Sequence, residues 1–157
     1  CIDNAIHTFS GVQLRLACHR LMEQQGNKEP IGKAKITKAY NLPSQYILHT
    51  VGPIISGTVT ENDCAQLRNC YQSCLELATA QHLSSIAFCC ISTGEFHFPN
   101  TLAAEIAVQT VQAYQALHPN TIEVLFNVFK EEDFKIYQRL LQRELPSHPI
   151  KKQTADS

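Results

Sequence analysis

What this 157-residue sequence lacks narrows its function before any motif does. It has no excess of either charge: 13 Lys and Arg face 14 Asp and Glu, for a formal net charge of -1. No global field therefore draws the chain to nucleic acid or to an anionic membrane. Basic residues are scattered, and Lys151-Lys152 is the one adjacent pair. No apolar run is long enough to cross a bilayer, and no stretch reads as a signal peptide. Internal repeats and low-complexity segments are absent. Methionine is nearly so: Met22 stands alone, and the chain opens on Cys1. The sequence enters a helical pattern within a few residues, without the strand that normally begins a βαβ unit. The expectation is that the natural N-terminus lies upstream and carries functional residues.

The seven cysteines are an odd number. Cys18, Cys70, Cys74, Cys89 and Cys90 sit within apolar helical or strand patterns, which suits reduced, buried thiols and a cytoplasmic protein better than a disulfide framework. The length suits one domain with a real core, set at residues 1–145, followed by a polar tail over 146–157 that is expected to be disordered.

Periodicity predicts an alternation of helices and strands. Asp3 to Gln25 reads as a helix broken around Ser10-Gly11, with Val12, Leu14, Leu16, Ala17, Leu21 and Met22 apolar. Ala34 to Ala39 alternates as a half-exposed strand, and Tyr46 to Val51 is a second strand stopped by Gly52-Pro53. Thr60 and Asp63 resemble a capping box opening a helix to about Gln81, with Leu67, Cys70, Tyr71, Cys74, Leu75 and Ala78 on one face. Ser85 to Ile91 is apolar enough for a strand buried on both faces of a parallel sheet. Asn100 to Leu117 reads as helix and Ile122 to Phe129 as strand. A last helix runs from Glu131 to about Glu144, with acids in its first turn and Phe134, Tyr137, Leu140 and Leu141 inward. Such alternation means an α/β sheet with helices on both faces.

The segment Ser92-Thr93-Gly94-Glu95-Phe96-His97-Phe98-Pro99 is the most informative stretch. It follows a strand and precedes a helix, which places backbone N–H groups where a helix N-terminus favours an anion. Its aromatics offer faces for a base or sugar, so the residues alone suggest a loop for a phosphorylated, nucleotide-like molecule. The plainer reading is a turn of small residues. His97 is either an acid or base or simply a packed or solvent-facing residue. Asp3 and His7, at i and i+4, are either a cap with a satisfied histidine or a carboxylate at a ligand-facing helix start. Cys70 and Cys74 share that spacing, but on an apolar face without a second pair nearby they read as core rather than as metal ligands. Asn127 and Phe129 end a strand at the sheet edge where α/β folds gather ligands, although Phe129 also suits a core.

Taken together and in order, these segments resemble a macrodomain, the ADP-ribose-binding α/β/α fold, over about Cys1 to Tyr137. Ile2-Asp-Asn-Ala-Ile-His7 with Gly11 resembles the Val-Asp-Gly-Cys-Ile-His segment of MacroD-type hydrolases. Gly32-Lys-Ala-Lys-Ile-Thr37 and Tyr46-Ile-Leu-His-Thr-Val-Gly-Pro53 resemble their strand pair. Ile91-Ser-Thr-Gly-Glu-Phe-His-Phe-Pro99 resembles their diphosphate loop, with His97 in place of a glycine. The resemblance implies a three-layer α/β/α fold with a mixed, mainly parallel central sheet, here lacking its N-terminal strands.

The Cys-Ile-Asp-Asn-Ala-Ile-His-Thr-Phe-Ser-Gly opening resembles the zinc-dependent macrodomains of microbes. There a Cys-x4-His-x-Cys motif precedes the Asp, and Cys1 aligns with its last cysteine. The resemblance implies Zn2+ in the complete protein, with Cys1 as one ligand and two more upstream, together with an Asn-containing loop and the acidic residue that reads adenine. It implies Asp3 as the catalytic aspartate. For ADP-ribose it implies Ile2 and Asn4 through their backbone, Ser92, Thr93, Gly94, Glu95 and Phe96 as the diphosphate loop, and Asn127 and Phe129 near the adenosine. The implied reaction removes mono-ADP-ribose from protein side chains, with ADP-ribose and ADP-ribosylated protein as partners. The alternative within the same family is a reader that binds ADP-ribose without turnover.

Overall fold

In the computed structural model, which describes residues 2–26 and 30–143, the first local feature is the break at Gly11. α1 spans Ile2–Ser10 and α2 spans Val12–Gln25. Gly11 between them takes φ +94°, a conformation that costs an L residue dearly, and its N–H still reaches the His7 carbonyl at 3.1 Å. A Cβ there would lie 2.9 Å from Asn41 Nδ2, so sterics also hold the site to glycine. Buried Ser10 donates its hydroxyl to the Ala39 carbonyl and so ties the helix pair to the next element. Only Leu14 of the expected apolar face of α2 is buried, whereas Val12 is 72% exposed and Leu16 is exposed as well. α2 packs against β1, and a single narrow stripe finds cover.

β1 (Ala34–Lys38) and β2 (Tyr46–Thr50) pair antiparallel, in a register that sets Ala34 opposite Thr50 and Lys38 opposite Tyr46. Thr37 Oγ1 and His49 Nε2 meet at 2.9 Å across the ladder. α3 (Glu61–Ala80) begins with the capping box read from the sequence: the Asp63 N–H donates to Thr60 Oγ1 at 3.1 Å, and the Thr60 N–H donates to Asp63 Oδ2 at 2.8 Å.

β3 (Ser85–Phe88) and β4 (Glu123–Phe126) pair parallel, Ser85 opposite Glu123 and Phe88 opposite Phe126. One antiparallel and one parallel ladder give the mixed character expected of the sheet, and among the described residues no ladder bond joins the two pairs. Both strands are shorter than their apolar patterns suggest. β3 stops at Phe88 rather than Ile91, because Cys90 and Ile91 turn into the loop that follows.

The expectation of a strand buried on both faces is corrected here. Phe88, Ile86, Val124 and Phe126 face the helices, while Ser85 and Ala87 are exposed and Leu125 is 57% exposed. Alternation sends every second residue to the other face, and among the described residues no helix covers that face.

α4 (Asn100–Leu117) packs on α3, and α5 (Glu131–Gln142) packs on α4. Small residues on α4 (Ala103, Ala104, Ala107) allow close approach to Leu67, Tyr71 and Leu75 of α3. A chain of rings then crosses the core: Tyr71 to Phe88 at 4.9 Å, Phe88 to Phe126 at 6.4 Å and Phe126 to Tyr137 at 5.0 Å. On α5 the fully inward residues are Ile136 and Tyr137 with Asp133, while Phe134, Leu140 and Leu141 are half-buried. No helix among the described residues is long and apolar enough to cross a membrane. The tail over 146–157 lies outside the described residues.

Candidate functional site

The carboxyl ends of β3 and β4 meet, since the Asn127 N–H donates to the Phe88 carbonyl at 2.7 Å. Two loops leave this edge side by side: 89–99 after β3 and 127–130 after β4. Parallel strands with helical crossovers place ligands at this edge, because both loops open there and the next helix points its N-terminus toward it.

The loop after β3 is folded on itself and braced from one side. The Phe98 N–H donates to the Ser92 carbonyl at 2.9 Å, and the His97 N–H donates to Gly94 at 3.1 Å. Thr93 Oγ1 donates to the Cys90 carbonyl at 3.2 Å. Phe98 is almost wholly buried and pins the distal end of the loop into the core. Ser92 and His97 both take left-handed backbone conformations, φ +64° and +61°. A non-glycine residue there carries strain of about 1–2 kcal/mol, held by the surrounding bonds.

Among the described residues, none of the amides of Thr93, Gly94, Glu95 and Phe96 donates to a backbone carbonyl. Next to them α4 starts at Asn100 with Pro99 as N-cap, no side-chain cap and no acid in its first turn. Four successive loop amides and an uncapped helix start form a concentration of unspent donors, the arrangement that accepts phosphate oxygens.

The brace comes from the segment after β2, which the sequence marked only as a strand stop. The Ile55 N–H donates to the Phe96 carbonyl at 2.8 Å. Gly52 lies under Ser92 so closely that a Cβ would fall 1.9 Å from Ser92 Oγ and 2.8 Å from Ile91 Cγ2. Ser92 Oγ is buried there with no hydrogen-bond partner among the described residues. The expected loop residues therefore come together: Ser92, Thr93 and Phe96 half-buried, Gly94 and Glu95 exposed. Asn127 reaches the same edge and is exposed. Phe129 is 100% exposed, which excludes it from the core and leaves its whole ring available.

Of the remaining expectations, Ile2, Asp3 and Asn4 fall in the first turn of α1, and their side chains lie outside the described residues, as does Cys1. Among the described residues no group of three or more His, Cys, Asp or Glu is placed to hold a metal. Four cysteines make poor nucleophiles. Burial pushes the Cys74 and Cys90 thiols up to about 12, and burial raises Cys70 and Cys89 as well. Each shift favours the protonated thiol, at the buried Cys70 and Cys74 and at the half-buried Cys89 and Cys90 alike.

Asp133 was not singled out by sequence reasoning. It is 7% exposed and accepts Asn100 Nδ2 at 2.7 Å. A signal was present: Asp133 precedes Ile136 and Tyr137 by three and four residues, so it shares their inward face.

Comparison with known proteins shows the family. The profile of the Macro domain family matches residues 1–107. A Treponema medium protein named protein-ADP-ribose hydrolase is 57% identical over 141 residues, covering 90% of this chain and 54% of that protein. A Staphylococcus aureus (strain MRSA252) protein of the same name is 52% identical over 145 residues, covering 92% of this chain and 54% of its own length. The chain thus spans about half the length of the curated relatives it matches. Among solved structures, the Oceanobacillus iheyensis macrodomain with ADP superposes with a TM-score of 0.85 at 39% identity, over 91% of this chain and 75% of that one.

Proposed function

This chain belongs to the Macro domain family, and from that premise we propose that it binds ADP-ribose at the loop 92–98 and serves a protein that hydrolyses mono-ADP-ribose from modified side chains. One observation carries the binding half: four unengaged amides beside an uncapped helix start, at the carboxyl edge of the parallel pair. The diphosphate is the group that fits them, through its backbone-facing oxygens. Asn127 and the open Phe129 ring stand at the same edge for the adenosine. Holding the diphosphate fixes where the distal ribose lies, so binding energy far from the scissile bond serves to orient it.

The catalytic half rests on the resemblance of the Asp3 segment and on the names of the relatives. In our reading Asp3 orients the attacking water or a ribose hydroxyl at the distal C1″. We also propose Cys1 as a zinc ligand. The described residues do not by themselves make a metal site, so no step is routed through the ion, which when bound would supply an activated water. A cytoplasmic setting is part of the same proposal, supported by the free thiols of Cys64, Cys70, Cys74, Cys89 and Cys90.

The test uses the complete protein, zinc-loaded, with a mono-ADP-ribosylated protein. Release of free ADP-ribose is expected, and Asp3→Ala or a chelator should abolish release while ADP-ribose affinity persists. ADP-ribose binding without release from any modified protein would leave a reader module.

A further inference from the structure

We infer that Asp133 is the positioning residue of the phosphate loop, a buried carboxylate on α5 that anchors the root where the loop enters α4 through Asn100. The inference rests on the ADP-ribose reading only for its binding arm.

Asn100 is the first residue of α4 and follows Pro99 directly, so it marks where the loop ends. Its amide donates to Asp133 Oδ1 at 2.7 Å, across 33 residues of sequence. Cys90 marks where the loop begins, and its carbonyl already receives the Thr93 hydroxyl. The Asp133 charge lies close enough to Cys90 to help hold that thiol protonated. Tyr137, one turn further along α5, also feels this carboxylate, and burial keeps its hydroxyl protonated. Tyr71 Oη has no well-directed partner among the described residues. The Tyr137 hydroxyl and the Ile91 backbone nonetheless lie near enough to influence its ionisation. The start of α4, where the loop ends, is therefore tied to a buried carboxylate on α5.

A carboxylate 93% buried is costly unless something uses it. At the third position of α5 it also meets the helix dipole, but Glu131 and Glu132 meet that need from solvent. Asp133 also joins α5 to the start of α4. It thereby sets the distance between the uncapped helix end and the loop amides that precede it.

The experiment exploits the geometry of the pair. Asn100→Asp sets two carboxyl groups against each other, whereas Asn100→Asp with Asp133→Asn restores one carboxylate and one amide with donor and acceptor exchanged. Two readouts are taken: ADP-ribose affinity by calorimetry, and hydrogen exchange, without ligand, of the His97, Phe98 and Ile55 amides whose hydrogen bonds hold the loop folded. Loss of one buried charged hydrogen bond corresponds to about a tenfold or larger effect. The single variant should bind about tenfold more weakly and exchange those amides about tenfold faster, with α3 amides unchanged. The swap should return both readouts to within about threefold of wild type. If wild type does not bind ADP-ribose, the functional reading fails while the exchange readout still decides the clamp. Wild-type loop exchange in Asn100→Asp, or a folded swap that leaves the loop as fast as the single variant, overturns the inference. Should Asn100→Asp not fold, Asp133→Ala replaces it, with the same expectations and the same overturning result.

Discussion

The contact between Gly52 and Ser92 shows how tightly a single residue sets the site. The glycine is needed for space, because its missing Cβ is where Ser92 Oγ sits. Gly52→Ala should push Ser92 and Ile91 upward, misplace the loop amides and weaken ADP-ribose binding by about tenfold or more, on the scale of one lost charge-assisted hydrogen bond. Adding Ser92→Gly removes the two Ser92 atoms, leaves only the Ile91 Cγ2 methyl to shift, and suits the positive φ of that position, so calorimetry on the double variant should show part of the affinity recovered. A double variant as weak as Gly52→Ala would show that the contact does not set the loop. His97 offers the opposite case. Its φ of +61° and exposed side chain mean that glycine would relieve strain. The gain is partly offset by the greater freedom of glycine in the unfolded chain. His97→Gly should therefore raise the urea midpoint by the equivalent of about 0.5–1 kcal/mol, and a lowered midpoint would assign the imidazole a stabilising contact.

Elements differ in how much of their role could be read from sequence, and the cause is range. The capping box of α3 was legible because its partners are three residues apart. The bounds of α4 followed from a proline before it and an apolar periodicity within it. The ends of β3 and β4 were not legible, since Cys89 to Ile91 is as apolar as the strand, and only the parallel partner decides where pairing stops. Leu16 and Val12 carry helical periodicity yet stay exposed, because periodicity names a face and not its cover. In the site, the Ser92-Thr93-Gly94 loop was visible as a local motif. Gly52, Asn100 and Asp133 were not, because each acts through a neighbour 33 to 40 residues away in sequence. The capping box also separates stability from binding. Thr60→Ala should cost about 1 kcal/mol in urea unfolding and leave ADP-ribose affinity unchanged, since α3 touches the loop only through the core. A matching fall in affinity would place α3 within the site.

For the whole molecule, the buried thiols fix how stability follows pH. In the folded chain Cys74 and Cys90 bind their protons up to about 12, whereas unfolded thiols release theirs near 9.0. Between those values the unfolded state holds fewer protons, so stability is fully present below pH 9 and falls as pH rises toward 12. Urea unfolding at pH 8 and pH 10 should show the lower midpoint at pH 10, and Cys74→Ala with Cys90→Ala should shrink that difference, Cys70 and Cys89 keeping the remainder. An unchanged pH difference in the double variant would mean that other groups set it.

The same molecule-wide view joins the two halves of the function. The described residues supply the proposed binding edge, built by β3, β4, α4 and the segment after β2, whereas the proposed catalytic Asp3 belongs to α1. The proposal therefore assigns binding and hydrolysis to separable residues, which is why the loop is the claim to test first. Titrating ADP-ribose into isotope-labelled chain while following backbone amide resonances reads that loop directly. The expected result is saturable shifts largest at Thr93, Gly94, Glu95 and Phe96, with Asn127 and the first turn of α4 following. Saturable binding that leaves those four amides unmoved, or no binding at all, would contradict the account.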